Sequence, residues 1–317
     1  MAIPTTLSKI VLVALNVVFI AAGALLIYIG VSFKGNQWSD VFSAATATPL
    51  NSLGLYTLIF GSVVVGIASL GIFGALCRNK VLLSIYAVFV FIALAVFSAF
   101  AVLTFMSAST ASKWTAAQFP AATEETQVAT SLNEVYCYAQ GARLCTSASA
   151  RDAFKAFVPA LADTIVTVST LLQINVDEKT GINGFCNQVD KQVAALGAVG
   201  ATAAKSLPAQ YKQVCDTCAD VKNKYGDFQS IFDFAEEKCP LNPTTATFCG
   251  NFLLSKTQTN VFKSAPYEVC RPAILDLWHS VSMKLAIGST IAAVVALILL
   301  FFACAAGKKD DYDRFSY

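Results

Sequence analysis

The sequence contains two long apolar runs joined by a four-residue turn. Residues 53–76 read LGLYTLIFGSVVVGIASLGIFGAL, residues 77–80 read CRNK, and residues 81–106 read VLLSIYAVFVFIALAVFSAFAVLTFM. Neither run contains Asp, Glu, Lys, Arg or His. Because about 20 apolar residues in a helix cross the hydrocarbon layer of a bilayer, each run predicts a membrane-spanning helix.

Two further runs of the same kind, residues 10–31 and 285–306, raise the number of predicted spans to four. The whole chain is 56% hydrophobic and 13% charged, against about 25% charged in an average soluble protein. A cleaved signal peptide ending at Ala22-Gly23-Ala24 is the alternative for the first run. That run continues to Val31, beyond the length of a signal-peptide core, so a retained helix is favoured.

Basic residues beside the spans predict the orientation, because short cytoplasmic loops retain Lys and Arg. Lys9, Arg78, Lys80, Lys308 and Lys309 lie on one side of a four-pass chain, whereas fewer basic residues lie next to the spans on the other side. The side with the five basic residues is predicted to be cytoplasmic and to hold both termini. The predicted cytoplasmic parts are residues 1–9, 77–80 and 307–317, and the extracellular parts are a small loop, 32–52, and a large loop, 107–283.

Cysteine usage is consistent with this topology, because disulfides persist outside the cytosol. Eight of the ten cysteines fall in the large loop, which allows four bridges, but the pairing stays open among 105 possibilities. Cys77 and Cys304 lie at predicted cytoplasmic helix ends, where they are candidate S-acylation sites or unmodified small apolar residues. The predicted disulfide cysteines are Cys137, Cys145, Cys186, Cys215, Cys218, Cys239, Cys249 and Cys270.

Small residues recur at heptad spacing in the first two spans, a pattern that predicts a closely packed left-handed helix pair. Asn16 belongs to this pattern, and we expect its amide to bond a neighbouring helix and fix the register. No span contains Asp, Glu, Lys, Arg or His, which disfavours pumps, proton-coupled transporters and voltage sensors. The predicted packing residues are Asn16, Gly23, Gly30, Gly54, Gly61, Ala68 and Ala75.

Residues 71–83, read together with Tyr86, resemble the junction between the second and third helices of tetraspanins. The similarity lies in the glycines Gly71 and Gly74, the membrane-edge Cys77, the Arg-Asn-Lys turn and the Leu-Leu pair. The first helix adds the Asn16 and Gly23 pattern, and Cys270 lies shortly before the fourth helix. The resemblance implies a four-helix membrane protein with a small and a large extracellular loop.

The large loop departs from the tetraspanin pattern. It has no Cys-Cys-Gly motif, and the nearest substitutes are Gly184-Phe185-Cys186 and Cys215-Asp-Thr-Cys218. The acidic or amide residue often found in the third and fourth tetraspanin helices is also missing. The fold and partners of the loop therefore do not carry over from the resemblance.

Periodicity in the large loop is mainly helical. Ser149 to Asp152 predicts a capping box that opens an amphipathic helix running to about Gln173, split or kinked at Pro159. Gly181 to Gly184 is predicted to end a turn, and residues 239–249 to form a loop bridged by their cysteines. Two further helices are predicted, 187–207 and 209–224. The fold class is thus all-α, a four-helix membrane bundle with a mainly helical, disulfide-bonded extracellular domain between the third and fourth helices.

Cys215-x-x-Cys218 has three interpretations. The favoured one is two structural half-cystines that bond different partners, which a three-residue helical offset allows. The alternatives are a redox-active pair or half of a zinc site with Cys239 and Cys249. The sequence contains no catalytic motif, metal-binding His cluster or phosphate-binding glycine loop, so we expect no catalytic residue, metal or cofactor.

The charge of the large loop, 14 basic against 16 acidic residues for a net of −2, offers no basic stripe for nucleic acid. Asn242-Pro-Thr fails as a glycosylation acceptor because proline occupies its middle position, and no other Asn fits the pattern. The outer surface is therefore expected to be free of N-glycans. In the tail, Tyr312-x-x-Phe315 resembles the tyrosine-based sorting signal that clathrin adaptors bind; the alternative is a solvated tail without that role.

The resemblance to tetraspanins implies a non-enzymatic membrane organiser that associates with itself or with partner membrane proteins. The bilayer lipids, with a sterol among the candidates, are the other expected contacts. The predicted location is the plasma membrane or a connected endosomal or vesicular membrane. Two alternatives remain open at this point, an accessory subunit of a channel or transporter complex and a membrane thiol oxidoreductase that uses Cys215 and Cys218.

Overall fold

A computed structural model describes residues 5–33, 53–77, 80–197, 200, 202, 205, 207–224, 229–258 and 260–312. The chain divides into two compact units. The bundle unit comprises residues 1–35, 49–118 and 274–317, and the outer unit comprises residues 36–48 and 119–273. The described residues form eleven α-helices: α1 Thr5–Phe33, α2 Leu53–Cys77, α3 Lys80–Ala116, α4 Thr123–Thr146, α5 Ala150–Phe157, α6 Pro159–Leu171, α7 Gly181–Ala195, α8 Ala209–Lys224, α9 Gln229–Lys238, α10 Pro243–Ser255 and α11 Pro266–Tyr312.

Four of these helices, α1, α2, α3 and α11, are long and apolar enough to cross a membrane. They carry large apolar side chains that are exposed because the bilayer is their expected solvent, among them Ile92 and Phe301. The prediction of an all-α chain with four membrane helices is confirmed. The helices extend beyond the charge-free runs: α3 has 37 residues, about 55 Å at the helical rise. Past Met106 the helix continues with Ala108, Ala111 and Trp114 buried on one face.

The outer unit is arranged around α4, which contacts α7, α8, α9 and α10. Residues on every face of α4 are buried, including the polar side chains of Glu125, Asn133 and Gln140. Because buried residues lie on every face, the apolar residues of α4 form no single stripe, and this explains why no amphipathic pattern predicted the helix.

Several loop predictions are confirmed. The Ser149 side chain caps α5 by accepting a 3.1 Å hydrogen bond from the Asp152 amide, and Pro159 begins a separate helix, α6. The reciprocal half of the predicted capping box differs, because the Asp152 carboxylate accepts from the Ser149 hydroxyl at 2.7 Å. Helix α8 has the predicted bounds.

Two loop predictions are wrong. Residues 243–255 form α10 instead of a bridged loop: Pro243 occupies the first turn, where its missing N–H is not needed, and Asn242 and Thr245 form a capping box. The turn predicted to end at Gly181 is instead the start of α7, six residues before the predicted helix. Gly181 has φ +69°, and a Cβ there would overlap the Cys145 carbonyl, so the position requires glycine. The predicted small loop from residue 34 onward and residues 78 and 79 of the turn lie outside the described residues.

Candidate functional site

A polar junction lies inside the bundle unit, where α1, α2 and α3 meet. Asn16 on α1 is buried, and its side-chain oxygen accepts a 3.1 Å hydrogen bond from the Tyr86 hydroxyl on α3. Its amide nitrogen donates to the Leu12 carbonyl at 2.8 Å within α1. Gly71 on α2 leaves space for both, since a Cβ there would lie 2.5 Å from the Tyr86 ring and 2.7 Å from the Asn16 amide. The junction joins α1 to α3 through a satisfied polar pair.

Helices α1 and α2 approach each other closely at two glycines. A Cβ built on Gly61 would lie 2.8 Å from the Gly23 carbonyl oxygen, and one built on Gly23 would lie 2.9 Å from the Gly61 carbonyl oxygen. Contacts this short leave no room for a side chain on either helix. Of the other predicted packing residues, Gly30, Ala68 and Ala75 are buried, whereas the surroundings of Gly54 lie outside the described residues.

A cavity of about 20 Å³ lies next to the polar junction. It has about the volume that one or two water molecules need, and most of its lining is apolar. A sterol, which is many times larger, does not fit this space with the helices as they stand. The lining residues are Asn16, Phe19, Val64, Ile67, Ala68, Tyr86, Val90, Ala93, Phe97, Ala296 and Leu299.

A second set of polar contacts joins α3 to α11 within the bundle unit. The indole of Trp278 donates a 2.8 Å hydrogen bond to the Ser107 hydroxyl, and that hydroxyl lies 3.1 Å from the Ser282 hydroxyl. The Trp278 ring also packs edge-on against Trp114 with ring centroids 5.1 Å apart. Sequence reasoning missed this cluster because its serines lie just beyond the apolar run and carry no motif.

In the outer unit the eight predicted cysteines form four disulfides. Two attach α4: Cys137 bonds Cys249 on α10, and Cys145 bonds Cys218 on α8. The third joins α7 to α8 through Cys186 and Cys215, and the fourth joins Cys239, at the end of α9, to Cys270 on α11. Among the described helices of the outer unit, α5 and α6 contain no bridged cysteine. The four bridges stabilise a small domain chiefly by restricting its unfolded chain.

Cys215 and Cys218 thus bond different partners on different helices. The two cysteines do not form a Cys-x-x-Cys bridge, and both are oxidised. Cys239 and Cys249 are each taken up by separate disulfides as well. Within the described residues, no three His, Cys, Asp or Glu side chains come together as a candidate metal site.

A buried carboxylate fastens the two ends of the outer unit to each other. Glu125 at the start of α4 is fully buried and accepts three hydrogen bonds, from the Ala121 amide at 2.6 Å, the Tyr267 hydroxyl at 3.1 Å and the Arg271 guanidinium at 2.7 Å. We call these four residues the Glu125 cluster. Burial, followed by the negative charge of Glu125, raises the pKa of the Tyr267 hydroxyl above its usual value. The cluster therefore holds a neutral tyrosine and an ion pair.

Asn133 lies about two turns further along α4 and extends the Glu125 cluster. Its side-chain oxygen accepts a 2.7 Å bond from the Tyr267 amide, and its nitrogen donates to the Val261 carbonyl at 2.9 Å and to the Gln258 side chain at 3.2 Å. Gln258 in turn donates to the Thr130 carbonyl at 2.8 Å. Each buried polar group in this region has a partner, as a stable buried network requires.

The model of the tetraspanin family matches residues 8–309, nearly the whole chain. The chain belongs to the tetraspanin family. No curated protein and no solved structure matches it. Tetraspanins are multi-pass membrane proteins that generally act as organisers of other membrane proteins and not as enzymes, and this tetraspanin has the four membrane helices and the disulfide-bonded outer unit expected of a member.

The two cysteines outside the outer unit of this tetraspanin are free thiols and both are exposed. Cys77 is the last residue of α2, and Cys304 lies in the part of α11 near its end. Exposure at the ends of membrane helices is what S-acylation requires. Tyr312 is the last residue of α11, and Phe315 of the candidate sorting motif lies outside the described residues.

Proposed function

We propose that this tetraspanin is a non-enzymatic membrane organiser that associates laterally with itself or with other membrane proteins. The observation that carries the proposal is the family match over residues 8–309. The described residues support it in two ways. The bundle exposes large apolar side chains along all four membrane helices, and the outer unit is held by four disulfides.

In this proposal the bundle supplies the lateral contacts and the outer unit supplies specificity for the partner. A disulfide-bonded surface loses little conformational entropy when it binds, and this favours specific recognition by a rigid domain. The bilayer lipids contact the exposed apolar faces. A sterol would occupy that outer surface of the helices instead of the 20 Å³ cavity beside Asn16.

We infer that both termini are cytoplasmic and that the outer unit faces the extracellular side or the lumen of a connected vesicle. The basic residues beside the helices and the four disulfides support this orientation. The plasma membrane or an endosomal or vesicular membrane is the proposed location. Cys77 and Cys304 are the proposed acylation sites, and Tyr312 and Phe315 the proposed adaptor-binding pair.

The test is purification of the full chain from its own membrane in a mild detergent, followed by mass spectrometry of intact complexes. We expect a complex of fixed stoichiometry, either of several copies of this chain or with one membrane protein. On the same material, each acyl group held by a thioester is exchanged for a mass label, and the number of labels measures acylation. Cys77→Ser and Cys304→Ser are the matched controls, and each is expected to remove one labelled site.

If the wild-type protein carries a label at neither Cys77 nor Cys304, the acylation proposal is contradicted and the organiser proposal is unaffected. A single copy with no protein at fixed stoichiometry would contradict the organiser proposal. A transport protein recovered at one copy per chain would instead support the role of an accessory subunit.

A further inference from the structure

The Cys186–Cys215 disulfide differs from the other three in its exposure. The six cysteines of the other bridges are each at most 2% exposed. Cys186 is 7% exposed, and Cys215 is partly exposed on the surface of α8. Reduction of a disulfide requires a thiolate to reach one of its sulfurs, so the four bridges of the outer unit differ in their access to an external thiol.

We propose that Cys186–Cys215 is a site of thiol–disulfide exchange that an external dithiol opens selectively. The inference goes beyond the organiser function and does not depend on it. It also differs from a Cys-x-x-Cys redox pair, because Cys218 stays bonded to Cys145 throughout. The substrate class is a small dithiol or the dithiol form of a thioredoxin-like protein outside the cytosol.

The exchange takes place in two balanced steps. A thiolate of the dithiol attacks the Cys215 sulfur, forms a mixed disulfide and releases Cys186 as a thiolate, which takes a proton. The second thiol of the reagent then attacks its own sulfur in the mixed disulfide and releases the Cys215 thiolate, which is also protonated. The tetraspanin gains two electrons and two protons, and the dithiol leaves as a cyclic disulfide.

Contacts independent of this bond hold α7 against α8 after it opens. The Phe185 ring on α7 lies edge-on to the Tyr211 ring on α8, with centroids 6.5 Å apart, and Phe154 packs against both rings. The Asn183 side chain donates a 3.1 Å hydrogen bond to the Cys218 carbonyl. The buried Cys145–Cys218 bridge still ties α8 to α4. Opening is therefore a local event that leaves the core of the outer unit folded.

The stretch of chain closed by this bond has an unusual composition. Residues 193–209 read VAALGAVGATAAKSLPA, almost entirely small or apolar residues with one charge at Lys205. The disulfide spans 29 residues and is the shortest covalent closure in the outer unit. Its reduction removes the restraint on the chain entropy of this segment. The structural consequence of exchange is thus confined to the part of the outer unit that contains α7 and α8.

The experiment uses the full chain in lipid nanodiscs, treated with increasing dithiothreitol under native conditions. Free thiols are blocked with light N-ethylmaleimide, the protein is then denatured and fully reduced, and the remaining cysteines receive heavy reagent. Because exchange rates follow access, peptide mass spectrometry is expected to find light label on Cys186 and Cys215 together, about tenfold sooner than on the other six. Hydrogen exchange is expected to rise in residues 181–224 and to stay unchanged in α4 and α10.

Earlier opening of any other bridge, or the opening of all four at one rate, would overturn the proposal. A second variant tests the local character of the opening: the double substitution Cys186→Ser and Cys215→Ser is expected to reach the membrane with three bridges intact, and its misfolding would contradict the inference. The matched control, Cys137→Ser with Cys249→Ser, removes a fully buried bridge and is expected to unfold the outer unit.

Glutathione, a monothiol, is expected to be trapped on Cys215, and its capture on Cys186 would overturn the stated direction of attack.

Discussion

The hydroxyl of Tyr86 on α3 donates a hydrogen bond of 3.1 Å to the side-chain oxygen of Asn16 on α1, inside the bundle unit. The two residues are 70 positions apart in the chain. The bond joins the first and third membrane helices at a level where lipid offers no alternative partner, so it favours one register of the two helices over others.

Tyr86→Phe removes this hydroxyl and keeps the ring in place beside Gly71. We expect the free energy of unfolding in detergent to fall by about 0.6 kcal/mol and by no more than about 1.7 kcal/mol, the range measured for such bonds between membrane helices. Asn16→Ala and the double variant complete a double-mutant cycle. A coupling energy near zero would show that the two side chains do not stabilise each other.

Gly61→Ala is expected to destabilise the bundle by about 1–3 kcal/mol, because its Cβ would lie 2.8 Å from the Gly23 carbonyl oxygen and force the backbones apart. Gly66 lies on the same helix, and a Cβ there meets nothing within 4 Å. Gly66→Ala is therefore the matched control. Unfolding in mixed detergent micelles measures both variants, and equal effects would contradict the close packing of α1 against α2.

Glu125→Gln is expected to lower the stability of the outer unit by about 3–5 kcal/mol, since it removes the buried carboxylate charge that faces the largely buried guanidinium of Arg271. Glu236→Gln is the control, because Glu236 pairs with Arg143 at the surface, where both side chains are about half exposed and such pairs contribute about 0–1 kcal/mol. Thermal unfolding of the full chain measures the two. The account of the Glu125 cluster fails if the two variants are equally stable.

Buried tyrosines predict a loss of stability at alkaline pH. Burial raises the pKa of Tyr136 to about 12, so the folded chain keeps this proton at a pH where the unfolded chain, with a pKa near 10, has released it. Stability is then fully present below about pH 10 and falls as the pH rises towards 12. The raised pKa of Tyr267 acts in the same direction.

Tyr136→Phe is expected to reduce the loss of stability that the wild-type protein shows as the pH rises. Melting temperatures of the two proteins between about pH 8 and about pH 11 measure the difference, with Cys77 and Cys304 alkylated to prevent disulfide exchange. Parallel curves for the wild-type and variant proteins would show that Tyr136 ionises equally in the folded and unfolded states.

The membrane half of the fold could be predicted because its signals are local. Length and the absence of charge identify each span. Gly23 and Gly61 each belong to a heptad pattern of small residues in their own helix, and these two residues do approach each other closely. Tyr86 appeared in the sequence only as part of the tetraspanin-like junction. Its bond to Asn16 depends on the arrangement of three helices, which no spacing within one helix reveals.

The outer unit was harder to predict because its organisation is non-local. Helix α4 has buried residues on every face and therefore no single apolar stripe. The partners Glu125 and Arg271 are 146 residues apart. The disulfide pairing was one of 105 possibilities. The three-residue offset of Cys215 and Cys218 did favour different partners. For α10, a proline at the first position was mistaken for a loop signal, although proline is well tolerated there.

We propose that this tetraspanin acts as a membrane organiser by associating laterally with itself or with other membrane proteins. The most direct measurement is the composition of the complexes that it forms in its own membrane, fixed by a short cross-linker before a mild detergent extraction and weighed by native mass spectrometry. We predict one dominant complex that contains a fixed number of copies of this chain, either alone or together with one membrane protein at a constant ratio. Uniform single copies, unchanged by cross-linking, would contradict the claim.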